Sequence, residues 1–484
     1  MKFLHLRIIL YTLGIVLLFE SFFLLLDIPV ALIYHPEGVK IIIYSLLIMA
    51  GTGLIGVMAS KRQKATREPG VRDSFVIVSL GWLVMSLFGT LPYLLSGAIP
   101  RFADAFFECV SGFTTTGSSI LTDIEVIPKE ILFWRAETHW IGGMGIIVLV
   151  VAVLPFFNIG GNRLFSAEAS MVSFEKIKPK VIDTAKRLWL IYVVLTFAET
   201  ILLMFAGMDL FDGLCHSFAT VATGGFSTRN ASLAAFSPAA QYIATLFMFL
   251  SGMNFALHYF SFKGDFGKVF KNEEFRLYGF IVIAATLNIP FVLIRHGGKL
   301  EKSFRDAVFQ VVSIITCTGF ATADYLQWPT KAWILIFILM FIGGCAGSTA
   351  GGIKVIRHLL IYKTTRNIFQ RMVNPNRIIV IKYNNQPVDH NALSGIMSYA
   401  FMYLFTFVLG SVIMIFSGLD IESAMGSVIT TLGGIGPGLG IVGPAGNFAA
   451  VSIFGKYFLC LMMILGRLEF YSFLALLMPG FWKL

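Results

Sequence analysis

Long, nearly uncharged apolar runs alternate with short polar connections along most of this chain. Each run is long enough to cross a bilayer as a helix, which takes about 20 apolar residues. The runs are continuous rather than alternating with a period of two, so they favour a helical bundle over a membrane β-barrel. The sequence thus predicts an all-α integral membrane protein with about ten transmembrane helices, at residues 8–33, 39–59, 74–99, 131–156, 186–206, 238–262, 276–294, 332–361, 393–417 and 451–478.

Four segments between the later runs share one pattern and are too short or too polar to span the membrane. Each begins with an aspartate, and a glycine follows 13 positions later. We predict four re-entrant pore loops in a pseudo-fourfold arrangement, because non-helical backbone at membrane depth must be buried or line a watery path. Each aspartate is expected to cap a short helix. The segments are DAFFECVSGFTTTG from Asp104, DGLCHSFATVATGG from Asp212, DAVFQVVSIITCTG from Asp306 and DIESAMGSVITTLG from Asp420.

The repeats divide the chain into five predicted units. Residues 1–73 hold two extra N-terminal helices and a basic loop. Four units of helix, loop and helix follow, each enclosing one repeated segment. Their predicted limits are residues 74–184, 185–275, 276–391 and 392–484.

Composition and charge support a membrane protein and predict its orientation. The 484 residues are 57% hydrophobic and 13% charged, with a formal net charge of +10. The basic residues cluster in four connections between apolar runs, near 61–72, 157–187, 263–276 and 354–382, which argues against a nucleic-acid-binding face. With ten spans, all four connections lie on one side. That side and both termini are therefore predicted to be cytoplasmic.

The ends of the four repeats combine threonine and glycine in a pattern suited to a cation filter. Glycine permits backbone angles that aim successive carbonyl oxygens inward, and threonine can add a hydroxyl oxygen. A ring of such neutral oxygens can replace the hydration shell of a monovalent cation. The predicted lining residues are Thr115, Thr116, Gly117, Thr223, Gly224, Gly225, Cys317, Thr318, Gly319, Thr431, Leu432 and Gly433.

A Gly-rich stretch from Phe341 to Gly352, FIGGCAGSTAGG, interrupts one apolar run. Its six glycines would each weaken a helix by about 1 kcal/mol relative to alanine. A helix-packing face of the GxxxG kind is the alternative interpretation. The position beside a pore repeat favours an unwound gate within the membrane, formed by Gly343, Gly344, Gly347, Ser348, Thr349, Gly351 and Gly352.

Arg467 lies inside the last apolar run, where an unpaired charge is costly and marks a functional residue. Glu469 is a candidate partner, but side chains two apart on a helix point to different faces. We predict that Arg467 faces the pore below the filter and raises the barrier to cations as part of the gate. Arg135, Glu137 and His139 are interpreted as interfacial or structural residues.

Several stretches resemble the membrane subunit of bacterial Trk-type potassium uptake systems, within the wider Trk/Ktr/HKT superfamily. They are SGFTTTGSS, HWIGGMGIIVL, HSFATVATGGFST, FIGGCAGSTAGGIKVIR, GGIGPGLG and GRLEF, and the likeness extends over essentially the whole chain. The resemblance implies potassium uptake across the bacterial cytoplasmic (inner) membrane through a gated, channel-like pore. It places potassium at the filter residues named above.

The same resemblance implies partners. It predicts a homodimer in membrane lipid and a soluble, cytoplasmic, nucleotide-binding regulatory ring of the TrkA-like kind. Potassium is then the substrate, no covalent cofactor is expected, and nucleotide control would act only through the partner. No nucleic-acid partner is expected.

Two other functions remain open from the sequence. One keeps the pore but couples potassium to sodium or protons, although acidic residues inside the predicted spans are few, with Glu199 and Glu469 the main ones. The other is a membrane enzyme that uses His139, His216 or His258. No HExxH, GxSxG or P-loop motif occurs, so we expect a transporter rather than an enzyme.

Overall fold

Helices form nearly all of the regular structure in the computed structural model, which describes residues 4–60, 70–145, 181–376 and 379–482. A two-stranded antiparallel hairpin, β1 (Lys382–Tyr383) and β2 (Gln386–Pro387), is the sheet found in these ranges. The helices are α1 Leu6–Leu24, α2 Asp27–Tyr34, α3 Val39–Ser60, α4 Val71–Phe88, α5 Leu91–Leu95, α6 Phe102–Phe113, α7 Lys129–Gly143, α8 Val181–Phe205, α9 Leu210–Val221, α10 Pro238–Ser251, α11 Phe255–Phe262, α12 Phe266–Lys271, α13 Glu273–Arg295, α14 Leu300–Ile315, α15 Thr330–Leu339, α16 Val355–Val373, α17 His390–Phe416, α18 Ile421–Gly433, α19 Ile453–Arg467, α20 Tyr471–Leu477 and α21 Pro479–Trp482.

The apolar helices are numerous enough for a multi-pass membrane protein. Within the described ranges, six helical segments are long and apolar enough to cross a bilayer, and two bent pairs could raise this number to eight. The bent pairs are α10 with α11, at 104°, and α19 with α20, at 117°. The predicted span at 131–156 continues beyond the described residues, and the span at 332–361 is broken between α15 and α16. The count of ten therefore stays a prediction.

The two N-terminal helices pack closely through small residues. A Cβ atom on Gly14 of α1 would lie 2.7 Å from the carbonyl oxygen of Gly53 in α3. In the reverse direction, a Cβ atom on Gly53 would lie 2.9 Å from the carbonyl oxygen of Gly14. Such mutual approach of two backbones is typical of helix packing in membranes, where small residues replace hydrophobic driving force.

The four repeated segments form four short helices, α6, α9, α14 and α18, which we call the repeat helices. Each packs between the helix before it and the helix after it in the chain. Three of them also pack against the outgoing helix of another repeat: α6 against α19, α9 against α7, and α14 against α10. The repeats are thus arranged in cyclic order, and each repeat helix contributes residues to one buried core.

The predicted capping role of the repeat aspartates is correct for one residue of the four. Asp420 precedes α18 and accepts the N–H of Ser423 at 3.1 Å. The other three lie inside their helices, which begin two to six residues earlier, so their carboxylates point sideways to other segments. Their contacts are with Lys456 for Asp104, with Thr228 and Arg229 for Asp212, and with Thr322 for Asp306.

Candidate functional site

The first three repeat helices end in loops with the same backbone shape. The second residue after the end of each helix has a left-handed backbone conformation, and a glycine two positions further along is left-handed as well. The residue between them donates its N–H to a carbonyl of the helix's last turns, at 2.7–2.9 Å. The left-handed residues are Thr115 (φ 54°), Thr223 (φ 55°) and Cys317 (φ 55°), and the glycines are Gly117 (φ 79°), Gly225 (φ 81°) and Gly319 (φ 83°).

The fourth loop has the same shape but starts three residues later than predicted. Thr431, Leu432 and Gly433 belong to the last turn of α18. Gly434 (φ 66°) and Gly436 (φ 95°) adopt the two left-handed positions, and the N–H of Ile435 between them bonds to Thr430 at 2.8 Å. The prediction for the fourth loop was therefore wrong in register. The reason is that α18 continues as a helix until glycine at its C-cap allows the reversal.

The four loops contact one another in a closed cycle. At three of the four glycines, an added Cβ atom would come well within 3.0 Å of a carbonyl oxygen of the next repeat, a distance that real Cβ atoms essentially never show. At the fourth it would lie 3.0 Å from such an oxygen. Four carbonyls, one from each repeat, thus lie against the loop of a neighbour. The contacts run from Gly117 to the oxygen of Gly224, from Gly225 to Thr318, from Gly319 to Ile435, and from Gly436 to Thr116.

A buried ion pair supports the first two loops from behind. The guanidinium of Arg135 bonds to Glu108 at 2.7 Å and to the carbonyl of Ser227 at 3.0 Å, and it stacks 3.4 Å from the centre of the Phe226 ring. Glu108 also accepts the N–H of Ile120 at 2.9 Å. The side chains of Arg135 and Glu108 are 3% and 0% exposed. One pair therefore joins the loop of repeat 1 to the loop of repeat 2.

Arg135 and Glu108 are not among the site residues predicted from the sequence. The interpretation of Arg135 as an interfacial or structural residue agrees with its burial in its structural part. Arg135 is a basic residue within a predicted apolar span, and the same feature identifies Arg467 as a candidate functional residue. Side-chain hydrogen bonds also join repeat 4 to repeats 3 and 1. The hydroxyl of Tyr325 donates to the carbonyl of Gly438 at 2.6 Å, and the hydroxyl of Ser118 donates to the carbonyl of Gly436 at 3.2 Å.

The Gly-rich stretch, Phe341–Gly352, is not helical and lies against the ends of the repeat helices. Thr349 donates its hydroxyl to the carbonyl of Val221, the last residue of α9, at 3.1 Å. A Cβ atom on Gly351 would collide with the carbonyl oxygen of Gly433 at the end of α18. A Cβ atom on Gly352 would lie 3.4 Å from the sulfur of Cys317, just after α14. The stretch thus reaches three of the four repeats.

Arg467 connects this stretch to repeat 1. It is the last residue of α19, and its Nη1 donates to the hydroxyl of Thr115 and to the carbonyl of Thr349, both at 3.2 Å. Its Nη2 donates to the carbonyls of Gly142 and Gly143 at the end of α7. The next acidic residue, Glu469, forms an ion pair with Arg357. A positive charge therefore lies between the Gly-rich stretch and a predicted filter residue.

The chemistry available at this site is that of oxygen ligands. Within the described part of the chain, no group of three or more His, Cys, Asp or Glu side chains could hold a metal ion. The neutral groups that the structure brings together are carbonyl oxygens of the four loops, those of Thr116, Gly224, Thr318 and Ile435. Such oxygens suit a monovalent cation, which must be held weakly enough to leave.

Comparisons with known proteins agree with this architecture. A family model described as TrkH, cation transport protein, matches residues 44–290 and 295–480. The "Trk system potassium uptake protein TrkH" of Salmonella typhimurium is 39% identical, covering 99% of this chain and 100% of that protein. The "Trk system potassium uptake protein TrkG" of Escherichia coli is 31% identical and covers 99% of both. The crystal structure of the potassium transporter TrkH from Vibrio parahaemolyticus superposes with a TM-score of 0.88 at 36% identity, covering 99% of this chain and 100% of that one.

These matches confirm the resemblance that the sequence motifs indicated. The relatives are named as transport proteins, in agreement with the expectation of a transporter rather than an enzyme. The apolar helices and the match over nearly the full length together identify a multi-pass membrane protein. The chain belongs to the TrkH family of cation transport proteins.

Proposed function

We propose that this chain takes up potassium across the bacterial cytoplasmic membrane through a gated pore. The observation that carries the proposal is the closed cycle of the four loops, in which the carbonyls of Thr116, Gly224, Thr318 and Ile435 each lie against a neighbouring repeat. Neutral oxygens from four directions can replace the water around a potassium ion without binding it too tightly to conduct. The relatives named for potassium uptake support the choice of ion.

The proposed filter has three residues from each repeat. In repeats 1 to 3 these are the residues predicted from the sequence, Thr115–Gly117, Thr223–Gly225 and Cys317–Gly319. In repeat 4, Gly434, Ile435 and Gly436 replace the predicted Thr431, Leu432 and Gly433, because they share the backbone conformation of the other three loops. The fourth side of the filter then carries no hydroxyl group.

The proposed gate consists of the Gly-rich stretch together with Arg467. The stretch lies against the repeat helices at the end where the filter loops begin, and Arg467 bonds to both Thr349 and Thr115. A fixed positive charge near the ion path raises the energy of a cation there. Displacement of the stretch and of the arginine would open the path.

The wider organisation is part of the same proposal. We infer ten crossings, four re-entrant loops, five units with the predicted limits, and both termini in the cytoplasm. We also infer a homodimer and a cytoplasmic nucleotide-binding ring, because the relatives are named as parts of a Trk system. The basic connection that includes α16 is the proposed docking surface for the ring.

A potassium symporter coupled to protons or sodium is the second candidate. Besides Glu108, which pairs with Arg135, four carboxyl residues are 0% exposed: Glu20, Asp27, Glu137 and Glu199. A carboxyl group inside a membrane protein is a candidate for carrying a proton. None of these four residues belongs to the filter loops or to the Gly-rich stretch, so the uncoupled pore is the better-supported function.

Flux through the purified protein in liposomes tests the proposal. With a potassium gradient as the only driving force, we expect rubidium uptake that follows the membrane potential and is much faster than sodium uptake. Uptake that requires a proton or sodium gradient at fixed potential would identify a symporter instead. Equal rates for potassium and sodium, or no rescue of a potassium-uptake-deficient host by the inserted protein, would contradict the proposed filter.

A further inference from the structure

A carboxylate from another helix holds the base of the Gly-rich stretch, where residues 343–346 lie beside residues 353–356. Glu274 lies in the first turn of α13, and 1% of its surface is exposed. Its Oε1 accepts the N–H of Ala346 at 2.7 Å and the N–H of Ile356 at 3.0 Å. Ala346 lies within the incoming arm of the stretch, and Ile356 lies in the first turn of α16, just after it. One oxygen thus bridges the two arms.

The start of α16 explains why a carboxylate is needed there. The first N–H groups of a helix have no partner within the helix, and the helix dipole favours a negative charge near them. The N-cap residue of α16 is Lys354, whose ammonium group has no acceptor atom and forms no side-chain cap. Glu274 supplies from α13 the cap that the local sequence lacks.

Backbone hydrogen bonds strengthen the same base. The N–H of Val355 bonds to the carbonyl of Gly344 at 3.1 Å, and the N–H of Gly343 bonds to the carbonyl of Ile353 at 2.9 Å. Cys345 donates to the carbonyl of Gly252, at the end of α10, at 2.8 Å. The tip of the stretch, Gly347–Ala350, is held instead by other segments: the carbonyl of Gly347 accepts the N–H of Phe255 at 3.0 Å, and Thr349 bonds to Val221 and Arg467. The two arms are therefore cross-linked to each other at the base, whereas the tip is bonded to the repeat helices and to Arg467.

We propose that Glu274 is a positioning residue that clasps the base of the gate and keeps its tip under the filter loops. Hydrogen bonds to a charged acceptor are about twice as strong as those between neutral groups, so this carboxylate outweighs a single backbone bond in the same base. When the clasp is lost, the two arms separate more easily and the tip spends more time away from the repeat helices. The inference rests on the gate proposed above.

The rate at which a cysteine at the tip reacts with a thiol reagent reports how often the tip is exposed, and this measurement does not rely on flux. Ser348 is half-buried at the tip, and Ser348→Cys introduces a thiol whose modification by a charged thiol reagent reports exposure. The five native cysteines are all buried, and the protein without Ser348→Cys supplies their background rate. The rate is measured on full-length protein in liposomes, alongside potassium flux.

Three substitutions of Glu274 distinguish the contribution of its side-chain length from the contribution of its negative charge. Glu274→Met fills the volume without a strong acceptor, and Glu274→Asp keeps the charge but is one methylene too short to bridge both donors. For each we expect modification about tenfold faster and a higher potassium flux. Glu274→Gln keeps an acceptor oxygen of the same reach but loses the charge, so its modification should be about threefold faster, between the starting protein and the Met and Asp variants.

Glu273→Ala is the matched control. It removes the adjacent negative charge from the same turn, which pairs with Lys363, and should leave both rates unchanged. Wild-type modification rates in the Met and Asp variants would overturn the clasp. If Glu274→Met does not fold, the Asp variant alone decides the question. Faster modification without increased flux would leave the clasp in place and contradict the proposed gate instead.

Discussion

The α-carbon of Gly319 faces the carbonyl oxygen of Ile435 so closely that no side chain fits between them. The same relationship joins Gly225 to Thr318 and Gly117 to Gly224. In each case the glycine also has a positive φ, so a substitution would be strained even if the neighbour moved away. The close contact between the loops therefore depends on glycine at these positions.

Gly117→Ser should damage the filter. The new side chain would collide with the carbonyl of Gly224 and would hold an unfavourable φ of 79°. Strain of this kind costs about 1–3 kcal/mol, enough to displace a carbonyl from the ring. We expect at least about a tenfold fall in the potassium-to-sodium flux ratio or in uptake itself. Gly279→Ser is the control, since a Cβ there meets nothing within 4 Å; equal effects of both variants would count against the site.

The fourth loop can be tested by comparing two glycines. Gly436→Ala should impair selectivity, because Gly436 has a φ of 95° and its Cβ would lie 3.0 Å from the carbonyl oxygen of Thr116. Gly433→Ala should be milder, because Gly433 is helical and its nearest neighbour is the flexible side chain of Ile435. Potassium and sodium fluxes in liposomes distinguish the two. The reverse ranking would restore the register predicted from the sequence.

Arg467→Ala should raise flux without changing ion preference. A unit charge about 7 Å from a cation raises its energy by roughly 1–2 kcal/mol in a partly hydrated pore, so its removal should increase flux about tenfold. The filter carbonyls stay in place, and so should the potassium-to-sodium ratio. Arg467→Lys keeps the charge and should retain most of the barrier. Flux unchanged in Arg467→Ala, or a collapse of selectivity, would show that the arginine has a different role.

Arg135→Met should destabilise the protein strongly, because it leaves Glu108 buried without its cationic partner. Breaking a buried ion pair typically costs about 3–5 kcal/mol. Adding Glu108→Gln removes the unpaired charge and should recover a large part of this loss. Thermal unfolding in detergent gives the comparison as a double-mutant cycle.

The exposed pair of Lys268 and Asp265 supplies the control for that cycle. Their side chains are 61% and 41% exposed, so Lys268→Met should cost no more than about 1 kcal/mol. If Arg135→Met were equally mild, or if the double variant were less stable than Arg135→Met alone, the ion pair would not be a support for the loops.

His35 should contribute a pH-dependent stabilisation. It lies between α2 and α3 and bonds to Glu130 at 2.7 Å, and this hydrogen bond and the negative charge of Glu130 raise the pKa of His35. Because the folded pKa exceeds the unfolded value of about 6.5, the stabilisation is complete below that pH and is lost as pH rises through the folded pKa. The unfolding temperature of the starting protein should exceed that of His35→Gln by more at pH 5.5 than at pH 9. A difference independent of pH would rule out this titration.

Local pattern was enough to predict the class of the protein and most of the candidate site. Continuous apolar runs indicate membrane helices whatever their packing. The spacing from Asp104 to Gly117 recurs in three further segments, and it identified the loop residues of repeats 1 to 3 because the helices end at equivalent positions there. The glycines from Gly343 to Gly352 likewise predicted the break between α15 and α16.

Other features were decided by contacts between distant parts of the chain. The end of α18 at Gly433 depends on where the helix stops among its neighbours, which the repeat spacing does not encode. Arg135 meets the carbonyl of Ser227, and Glu274 meets Ala346 and Ile356, only when the repeats pack around one centre. A residue's type and its helical period describe the face that it occupies. The groups that complete its hydrogen bonds come from segments far along the chain, so tertiary structure alone assigns them.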